Sequence, residues 1–216
     1  MQPIAKKAEQ SRRAILEAAR KEFGEHGVDG ARTEAIARAA GVNKALLYYY
    51  FKDKEKLFGA ALDHVFSQLS ERLAKVLASD LGPREKIRAY VGAHFDFIAS
   101  HLHYRGLVQG EIARSGHGSP HLQRIAKRCF YPLFSGLAEV IREGIAAGEF
   151  RAVDPLHFIP SMVAVVVFYF TNAPVMQAVM GQDFLSPEHL AAHRDAVLDF
   201  VSAGLFRQPQ SEGLRA

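Results

Sequence analysis

Residues 44–51, KALLYYYF, begin with a lysine and contain three consecutive tyrosines, and further lysines follow at positions 52, 54 and 56. Leu47 and Phe51 lie four residues apart, so on a helix they share one face and can enter a core. Tyr48 and Tyr49 lie on a different face, and lysines stand at both ends of the segment. Cations beside tyrosine hydroxyls suit the phosphate oxygens of a nucleic acid. The same pattern also describes a solvated helix end, because basic patches are common on protein surfaces.

The residues before this segment complete a DNA-binding arrangement. Residues 33–40, TEAIARAA, place apolar side chains on one helical side, and Gly41 follows as a turn. A helix, a glycine-containing turn and a second short helix form a helix-turn-helix, whose second helix enters the major groove. Ala45, a small residue on that second helix, would let it approach the groove closely.

On these residues the chain resembles the TetR family of transcriptional regulators. The resemblance covers residues 11–60 by motif, and beyond them it extends only as an all-helical pattern of suitable length. The positions that carry it agree in order and spacing: Phe23, Gly27, Ile36, Ala37, Gly41, Val42, Leu47, Tyr48, Tyr49, Phe51, Lys54, Glu55, Lys56 and Leu57.

The resemblance implies an all-α fold with two domains. The partner it implies is double-stranded operator DNA. An N-terminal three-helix helix-turn-helix domain, residues 1–56, precedes a larger helical ligand-binding and dimerisation domain, residues 57–216. We expect Asn43 to cap the recognition helix and Asp53 to cap the helix after it. The DNA contacts implied by the resemblance are Thr33, Asn43, Lys44, Ala45, Tyr48, Tyr49, Tyr50 and Lys54.

Three positions of this region bear on how DNA is contacted. Thr33 lies in the first turn of its helix, where a hydroxyl and free N–H groups suit a phosphate. Glu34 is not expected to face phosphates, and a contact to a cytosine amino group is the alternative. Tyr50 stands where the family often has histidine, so the base preference does not follow from the family pattern.

The positive charge of the chain lies in its first quarter. Residues 1–56 contain 12 Lys or Arg and 8 Asp or Glu, a net charge of +4, whereas residues 57–216 contain 15 of each. A basic head on a neutral body is the charge distribution expected of a polyanion-binding protein. The excess is modest, so it supports nucleic-acid binding without establishing it.

Cysteine use and hydropathy indicate a cytoplasmic protein without a membrane partner. The single cysteine, Cys129, excludes an intramolecular disulfide, which fits a reducing compartment. No apolar run follows the basic residues near the N-terminus, so we expect no signal peptide. The apolar stretch 158–170 falls short of the roughly 20 residues of a membrane span, which predicts a buried helix.

Proline at the first helical position predicts where the helices of the larger domain begin. Pro83, Pro120, Pro155 and Pro187 each follow a turn or capping residue. Together with a long apolar stripe that starts near residue 54, these signals predict helices over 54–78, 83–100, 104–114, 119–147, 155–180 and 187–206.

Apolar and aromatic side chains of these helices could line a ligand pocket. Each is more often an ordinary core residue, but the resemblance makes a pocket for a small-molecule effector expected. His94, Glu111, Tyr131 or Asn172 would orient a ligand in a largely apolar site. The expected ligand contacts are Phe66, His94, Phe95, Ile98, Val108, Glu111, Ile112, Phe130, Tyr131, Phe134, Met162, Val166 and Tyr169.

The last two helices are the expected dimer surface. The resemblance implies a homodimer in which these two helices pack against the partner's pair as a four-helix bundle. The final helix carries an apolar stripe that fits this role, although a helix buried within one chain would look the same: Leu190, Val197, Phe200, Val201 and Leu205.

The residues offer little support for an enzyme or a metal site. His189 and His193 lie four residues apart and could bind a metal, but solvent-facing or capping roles are the more common ones for such a pair. HExxH, Cys/His zinc spacing, P-loop, GxSxG and GxGxxG motifs are absent from the sequence. We expect no catalytic residues, no metal and no cofactor.

The sequence as a whole predicts a sequence-specific, homodimeric DNA-binding regulator of transcription. The expected mechanism is repression that ends when a small, largely apolar ligand releases the protein from its operator. The alternative is a helical small-molecule-binding or partner-docking protein without specific DNA binding, which salt-sensitive binding to DNA would distinguish.

Overall fold

The computed structural model describes residues 2–101, 106–109, 111 and 119–208. These residues are almost entirely helical, and they contain one isolated antiparallel bridge, between Phe150 and Phe206. The predicted all-α fold is therefore confirmed. The helices are α1 Gln2–Gly30, α2 Thr33–Ala39, α3 Lys44–Phe51, α4 Lys54–Leu77, α5 Pro83–Ser100, α6 Pro120–Ile125, α7 Tyr131–Ala146, α8 Pro155–Met180 and α9 Pro187–Leu205.

The chain divides into two compact units. The first unit contains residues 1–71 and 100–131, and the second contains residues 72–99 and 132–216. The division falls within α4, at residues 71 and 72, so that helix contributes to both units. It does not coincide with the boundary expected between residues 56 and 57, which stays a prediction.

The N-terminal helix begins almost at the start of the chain. α1 starts at Gln2, so Ser11, a residue type that favours helix N-caps, lies inside the helix. The first ten residues include Ala, Lys, Glu and Gln, which are good helix formers and make this extension reasonable. Gly27, with φ 66° and ψ 179°, interrupts the helical backbone near its end.

The core of the first unit joins the three N-terminal helices. Phe23 of α1, Ile36 of α2 and Leu47 of α3 are fully buried. The Phe23 ring also meets the ring of Phe58, from α4, edge to face at a centroid distance of 5.2 Å. Because each short helix contributes a large apolar side chain to this core, the helix-turn-helix is held to α1 and α4 by packing.

The proline signals locate helix starts correctly. The helices α5, α6, α8 and α9 begin at Pro83, Pro120, Pro155 and Pro187. Ahead of the last three of these, the side chains of Ser119, Asp154 and Ser186 accept hydrogen bonds from backbone N–H groups in the first turn. The cap and the proline therefore act together at these starts.

The predicted helix 119–147 is continuous but contains a π-helical turn. Residues 126–130 form this turn between α6 and α7, and the Tyr131 N–H donates to the carbonyl oxygen of Ala126 five residues back. Pro132 follows directly and has no N–H to continue the regular pattern. A single π turn accommodates that missing donor without ending the helix.

α8 departs most clearly from expectation. It has 26 residues and could span a membrane by length and composition alone, a test that core helices of globular proteins also pass. Within the stretch 158–170, for which the sequence predicts a buried helix, one side is exposed at Ser161, Ala164 and Phe168, so the prediction is wrong for that side. One face packs inward through Ile159, Met162, Val166, Phe170 and Ala173.

The opposite side of α8 exposes large apolar side chains. Phe168 is 63% exposed, and Phe200 of α9 is 66% exposed. The apolar stripe expected on α9 as a dimer surface is mostly buried within the chain, at Val197, Val201 and Leu205. Exposed Phe168, Val175 and Val179 share one side of α8, and Phe168 lines a groove with Phe200 of α9; we call these four residues the α8/α9 face.

Candidate nucleic-acid interface

A tight turn sets α2 and α3 at their angle. Gly41 has a φ of 66°, and the Val42 N–H donates to the carbonyl oxygen of Ala37 at 3.0 Å. A side chain at Gly41 would meet open space, so the requirement for glycine there comes from the left-handed backbone and not from crowding. The turn therefore depends on one residue's conformational freedom.

The two faces of α3 differ as the spacing predicts. Leu47 and Phe51 are buried in the core, whereas Lys44 and Ala45 at the start of the helix are exposed. Tyr49 is 79% exposed and makes an edge-to-face contact with the ring of Tyr50 at 5.4 Å. An exposed aromatic ring on a helix anchored from its other side is available to a partner.

Both predicted helix caps are present. The Asn43 side-chain oxygen accepts from the Leu46 N–H at 2.7 Å, and Asp53 Oδ1 accepts from the Lys56 N–H at the same distance. This backbone bond is the main reason that the pKa of Asp53 lies below its ordinary value. Lys54 Nζ donates to the carbonyl oxygen of Asp29 at 3.1 Å, which joins the start of α4 to the end of α1.

A polar network connects the start of α2 to α3. The hydroxyls of Thr33 and Tyr48 share a hydrogen bond of 3.2 Å, and Thr33 also donates to Glu34 Oε2 at a long 3.5 Å. Lys44 Nζ donates to Glu34 Oε1 and lies 5.8 Å from the centroid of the Tyr48 ring. We call these four residues the α2–α3 network.

The charges in the α2–α3 network reinforce one another. The hydrogen bond from Lys44 holds the pKa of Glu34 below its ordinary value. In return, the Glu34 carboxylate raises the pKa of Lys44. Both groups are therefore charged near neutral pH, and the pair persists over the physiological range.

The structure gives the sequence-predicted DNA contacts different surroundings. Asn43, Lys44, Ala45 and Tyr49 are exposed. Tyr48, Tyr50 and Lys54 are half-buried. Thr33 is buried, and its hydroxyl already bonds to Tyr48, so it orients a tyrosine as well as marking a helix start. The assignment of all eight residues to DNA contact stays a prediction.

The ion pair between Glu34 and Lys44 was not predicted from the sequence, in which Glu34 was considered only for a contact to a cytosine amino group. Glu34 is the second residue of α2 and Lys44 is the first of α3, ten positions later. Only the turn at Gly41 brings them together, so no local spacing rule finds the pair. The sequence feature that could have indicated the pair is an acidic residue in the first turn of α2 together with a lysine in the first turn of α3.

The expected ligand contacts of the first unit are only partly enclosed. Phe66 and Glu111 are buried, and Glu111 accepts a hydrogen bond from the Ser119 hydroxyl. The Phe66 and Phe130 rings meet edge to face at 5.2 Å, and Phe130 is half-buried, as is Val108. Two further expected contacts differ from these: Tyr131 is 73% exposed, and Ile112 lies outside the described residues.

In the second unit most of the expected contacts are core residues. Phe95, Ile98, Met162 and Val166 are buried, whereas Phe134 and Tyr169 are half-buried. His94 is also buried, and desolvation lowers the pKa of His94 to about 4. Its imidazole is thus neutral at physiological pH. A role in ligand binding stays a prediction for all of these residues.

The histidines proposed for a metal have other neighbours. His189 lies within hydrogen-bonding distance of the Ser186 hydroxyl and the Gln182 side chain, at 2.9 and 3.2 Å. His193 stacks on the Tyr169 ring with centroids 3.6 Å apart. Over the described ranges, the structure has no group of three or more His, Cys, Asp or Glu placed to hold a metal ion.

Comparison with known families and proteins agrees with this geometry. Residues 15–61 match the family model of bacterial regulatory proteins of the tetR family. Residues 83–201, more than half of the chain, match the tetracyclin repressor-like C-terminal domain. The chain belongs to the TetR family of transcriptional regulators. The resemblance seen in the sequence is thereby confirmed.

Individual relatives span nearly the whole chain. The HTH-type transcriptional repressor NicS of Pseudomonas putida is 26% identical over 204 residues, covering 94% of this chain and 96% of that protein. A transcriptional regulator of Saccharomonospora viridis solved with choline has a TM-score of 0.75 at 18% identity, covering 93% and 100% of the two chains. FadR of Bacillus subtilis, solved with stearoyl-CoA, has a TM-score of 0.70 at 23% identity, covering 89% and 98%.

These matches assign the general activity. The chain is a DNA-binding transcriptional regulator with an N-terminal helix-turn-helix, and its relatives are regulators and not enzymes. The structural matches fall below 25% identity, so they bear on the fold alone.

Substitution of two neighbouring tyrosines tests the α2–α3 network. Tyr48→Phe removes the half-buried hydroxyl that bonds to Thr33 and is expected to lower the free energy of unfolding by about 1 kcal/mol. Tyr49→Phe removes an exposed hydroxyl and is expected to change it by less than about 0.5 kcal/mol. Urea unfolding of both variants at equal protein concentration measures the difference. Equal stabilities would mean that the Thr33–Tyr48 bond does not form in solution.

Proposed function

We propose that this protein is a homodimeric repressor that leaves its operator when a small, largely apolar ligand binds its helical body. The observation that carries the DNA-binding part is the construction of α3. Leu47 and Phe51 anchor one side of this helix in the core, while Lys44, Ala45 and Tyr49 remain exposed on the other. Such a helix can enter a major groove without unfolding its own domain.

Electrostatics favours the same interface. The net charge of +4 lies within residues 1–56, which contain the helix-turn-helix. Phosphate contacts by lysine release counterions, so the affinity of such a head for DNA falls with salt concentration. In a symmetric dimer two heads would read two half-sites about 34–36 Å apart, one helical turn of DNA. A protein that acts on the chromosome of a bacterium works in the cytoplasm.

Replacing one lysine tests the DNA contact. Lys54→Ala is expected to weaken binding to operator and to random DNA alike, and to reduce the salt slope of log K by about one, because a single phosphate contact is lost. Lys75→Ala, an exposed lysine in the last turn of α4, is the matched control and should leave the slope unchanged. Fluorescence anisotropy over a series of salt concentrations measures both. A slope unaltered by Lys54→Ala would remove Lys54 from the contact set.

The α8/α9 face supports a homodimer. Its four apolar side chains are all more than half exposed, and extended apolar patches are small on the surface of most monomeric proteins. The same helices form an apolar groove of about 560 Å³, with Phe168 and Phe200 at its walls and Tyr169, Asn172 and His193 also lining it. A twofold dimer would place the same face of a second copy against it, which suits a self-complementary apolar surface.

A charge on this face should separate the dimer. Phe200→Glu introduces a carboxylate into the proposed interface and is expected to convert the dimer to a monomer at micromolar concentration, because an unpaired charge there would lose its water. Tyr131→Glu places the same charge on another exposed aromatic position, outside α8 and α9, and should leave the dimer intact. Sedimentation velocity measures both. A Phe200→Glu protein that still sediments as a dimer would place the interface elsewhere.

The effector is proposed from the character of the helical body and from the fold family. His94 is buried, neutral and close to the ring of Tyr90, and its imidazole could hydrogen-bond an uncharged polar group of a ligand. Two regulators of the same fold were solved with small molecules, choline in one and stearoyl-CoA in the other. These cases support small-molecule control as a class and do not identify the ligand of this chain.

Close contacts within the first unit connect α6 to α4, the helix that follows the helix-turn-helix. The His121 imidazole of α6 lies so close to Gly59 of α4 that a Cβ at Gly59 would overlap it. Arg124 of α6 pairs with Asp63 of α4 at 2.9 Å. A ligand that displaced α6 would therefore move the first half of α4, which begins at the DNA head. Full reversal of a 99:1 population needs about 5.5 kcal/mol of differential binding.

A further inference from the structure

The ion pair in the α2–α3 network places a negative charge on a surface that is proposed to bind phosphates. Glu34 and Lys44 have side chains that are 58% and 48% exposed. An exposed ion pair adds little to folding stability, so the fold does not explain its presence. A carboxylate beside the DNA-binding lysines also repels phosphates. The acid therefore opposes general DNA binding unless a donor on the DNA compensates for it.

The position of the pair places it near base edges. In a helix-turn-helix the N-terminal residues of the recognition helix contact the bases. Lys44 is the first residue of α3, and its Nζ donates to Glu34 Oε1. Glu34, on the first turn of α2, is thereby held at the same end of the recognition helix as Lys44.

Both groups keep hydrogen-bonding capacity after pairing. Lys44 Nζ carries three protons, and the bond to Glu34 uses one of them. The Glu34 carboxylate also accepts the long 3.5 Å bond from the Thr33 hydroxyl and a bond from its own backbone N–H, but its two oxygens have about four acceptor positions, so it can still accept another donor. The pair thus presents a spare donor beside a spare acceptor position, both already oriented by the α2–α3 network.

This donor–acceptor pattern fits a G·C base pair best. In the major groove lysine suits guanine O6 and N7, and a carboxylate suits the cytosine amino group. Guanine O6 and the cytosine amino group are neighbours on a single G·C pair. An A·T pair also places a donor, the adenine amino group, beside an acceptor, thymine O4, but guanine offers a lysine two adjacent acceptors, O6 and N7, so the G·C pair is favoured.

We propose that Glu34 and Lys44 together read one G·C base pair in each half-site, with Lys44 donating to guanine and Glu34 accepting from the cytosine amino group. The proposal rests on the proposed function and adds a specificity-determining residue, Glu34, to it. Glu34 then has two effects: it lowers affinity for DNA in general and restores affinity where the cytosine amino group is present.

Selection from a randomised double-stranded DNA library, followed by affinity measurement, tests the proposal. The wild-type protein is expected to prefer G·C over the other three pairs at one position of its half-site, by about tenfold, the range of a good base contact. Glu34→Ala and Lys44→Ala should both lose preference at that same position and keep it elsewhere. Glu34→Ala alone should bind random DNA more tightly, because a negative charge is removed.

The control variant is Glu71→Gln, which neutralises an exposed carboxylate on α4, outside the α2–α3 network. It should alter neither base preference nor random binding. If Glu34→Ala raises affinity for every sequence equally and leaves all base preferences intact, the inference is overturned and Glu34 acts only by repulsion. Loss of preference at different positions in the two variants, or at an A·T pair, also overturns it. If the wild-type protein enriches no sequence at all, the proposed function itself fails.

Discussion

The presentation of α3 depends on the burial of its two apolar anchors, Leu47 and Phe51. Burial of such a side chain stabilises a fold by about 1.5–3 kcal/mol, more than an exposed polar contact on the other face can contribute. The anchors meet a core that Phe23 and Phe58 tie to α1 and α4. α3 can thus present Tyr49 and the α2–α3 network to a partner, because the packing of its buried side fixes its orientation.

A second constraint comes from the apolar residues that the single chain leaves uncovered. α8 buries one row of side chains and exposes another row, which includes Phe168. Apolar surface of this kind is stabilised when it leaves water, so it favours a partner that covers it. A second copy completes it in the proposed account, and the same event would supply the two heads that a palindromic operator requires.

Helix positions followed closely from the sequence where a backbone rule applies. A proline after a capping residue located the starts of α6, α8 and α9, and the predicted caps at Asn43 and Asp53 formed as expected. The faces of α3 also followed from the spacing of Leu47 and Phe51. In each case the signal lies within a few residues of the feature, where local hydrogen bonding and sterics decide the outcome.

The features that sequence reasoning missed depend on distant parts of the chain. α8 contains only a few polar residues along its length, so apolar periodicity gave little indication of which side the chain would cover. The Glu34–Lys44 pair forms across a turn, between residues that no helical or strand spacing relates. The extended α1 shows a further limit, because a good capping residue such as Ser11 does not end a run of helix formers before it.

Specific, salt-sensitive DNA binding is the central claim, and fluorescence anisotropy with the DNA upstream of the protein's own gene tests it most directly. A random fragment of equal length provides the comparison over several salt concentrations. The account predicts tighter binding to the upstream fragment, with log K falling linearly with log salt by about 0.9 for each phosphate contacted. Equal affinity for both fragments would contradict specific recognition, and no binding to either at low salt would contradict DNA binding by this helix-turn-helix.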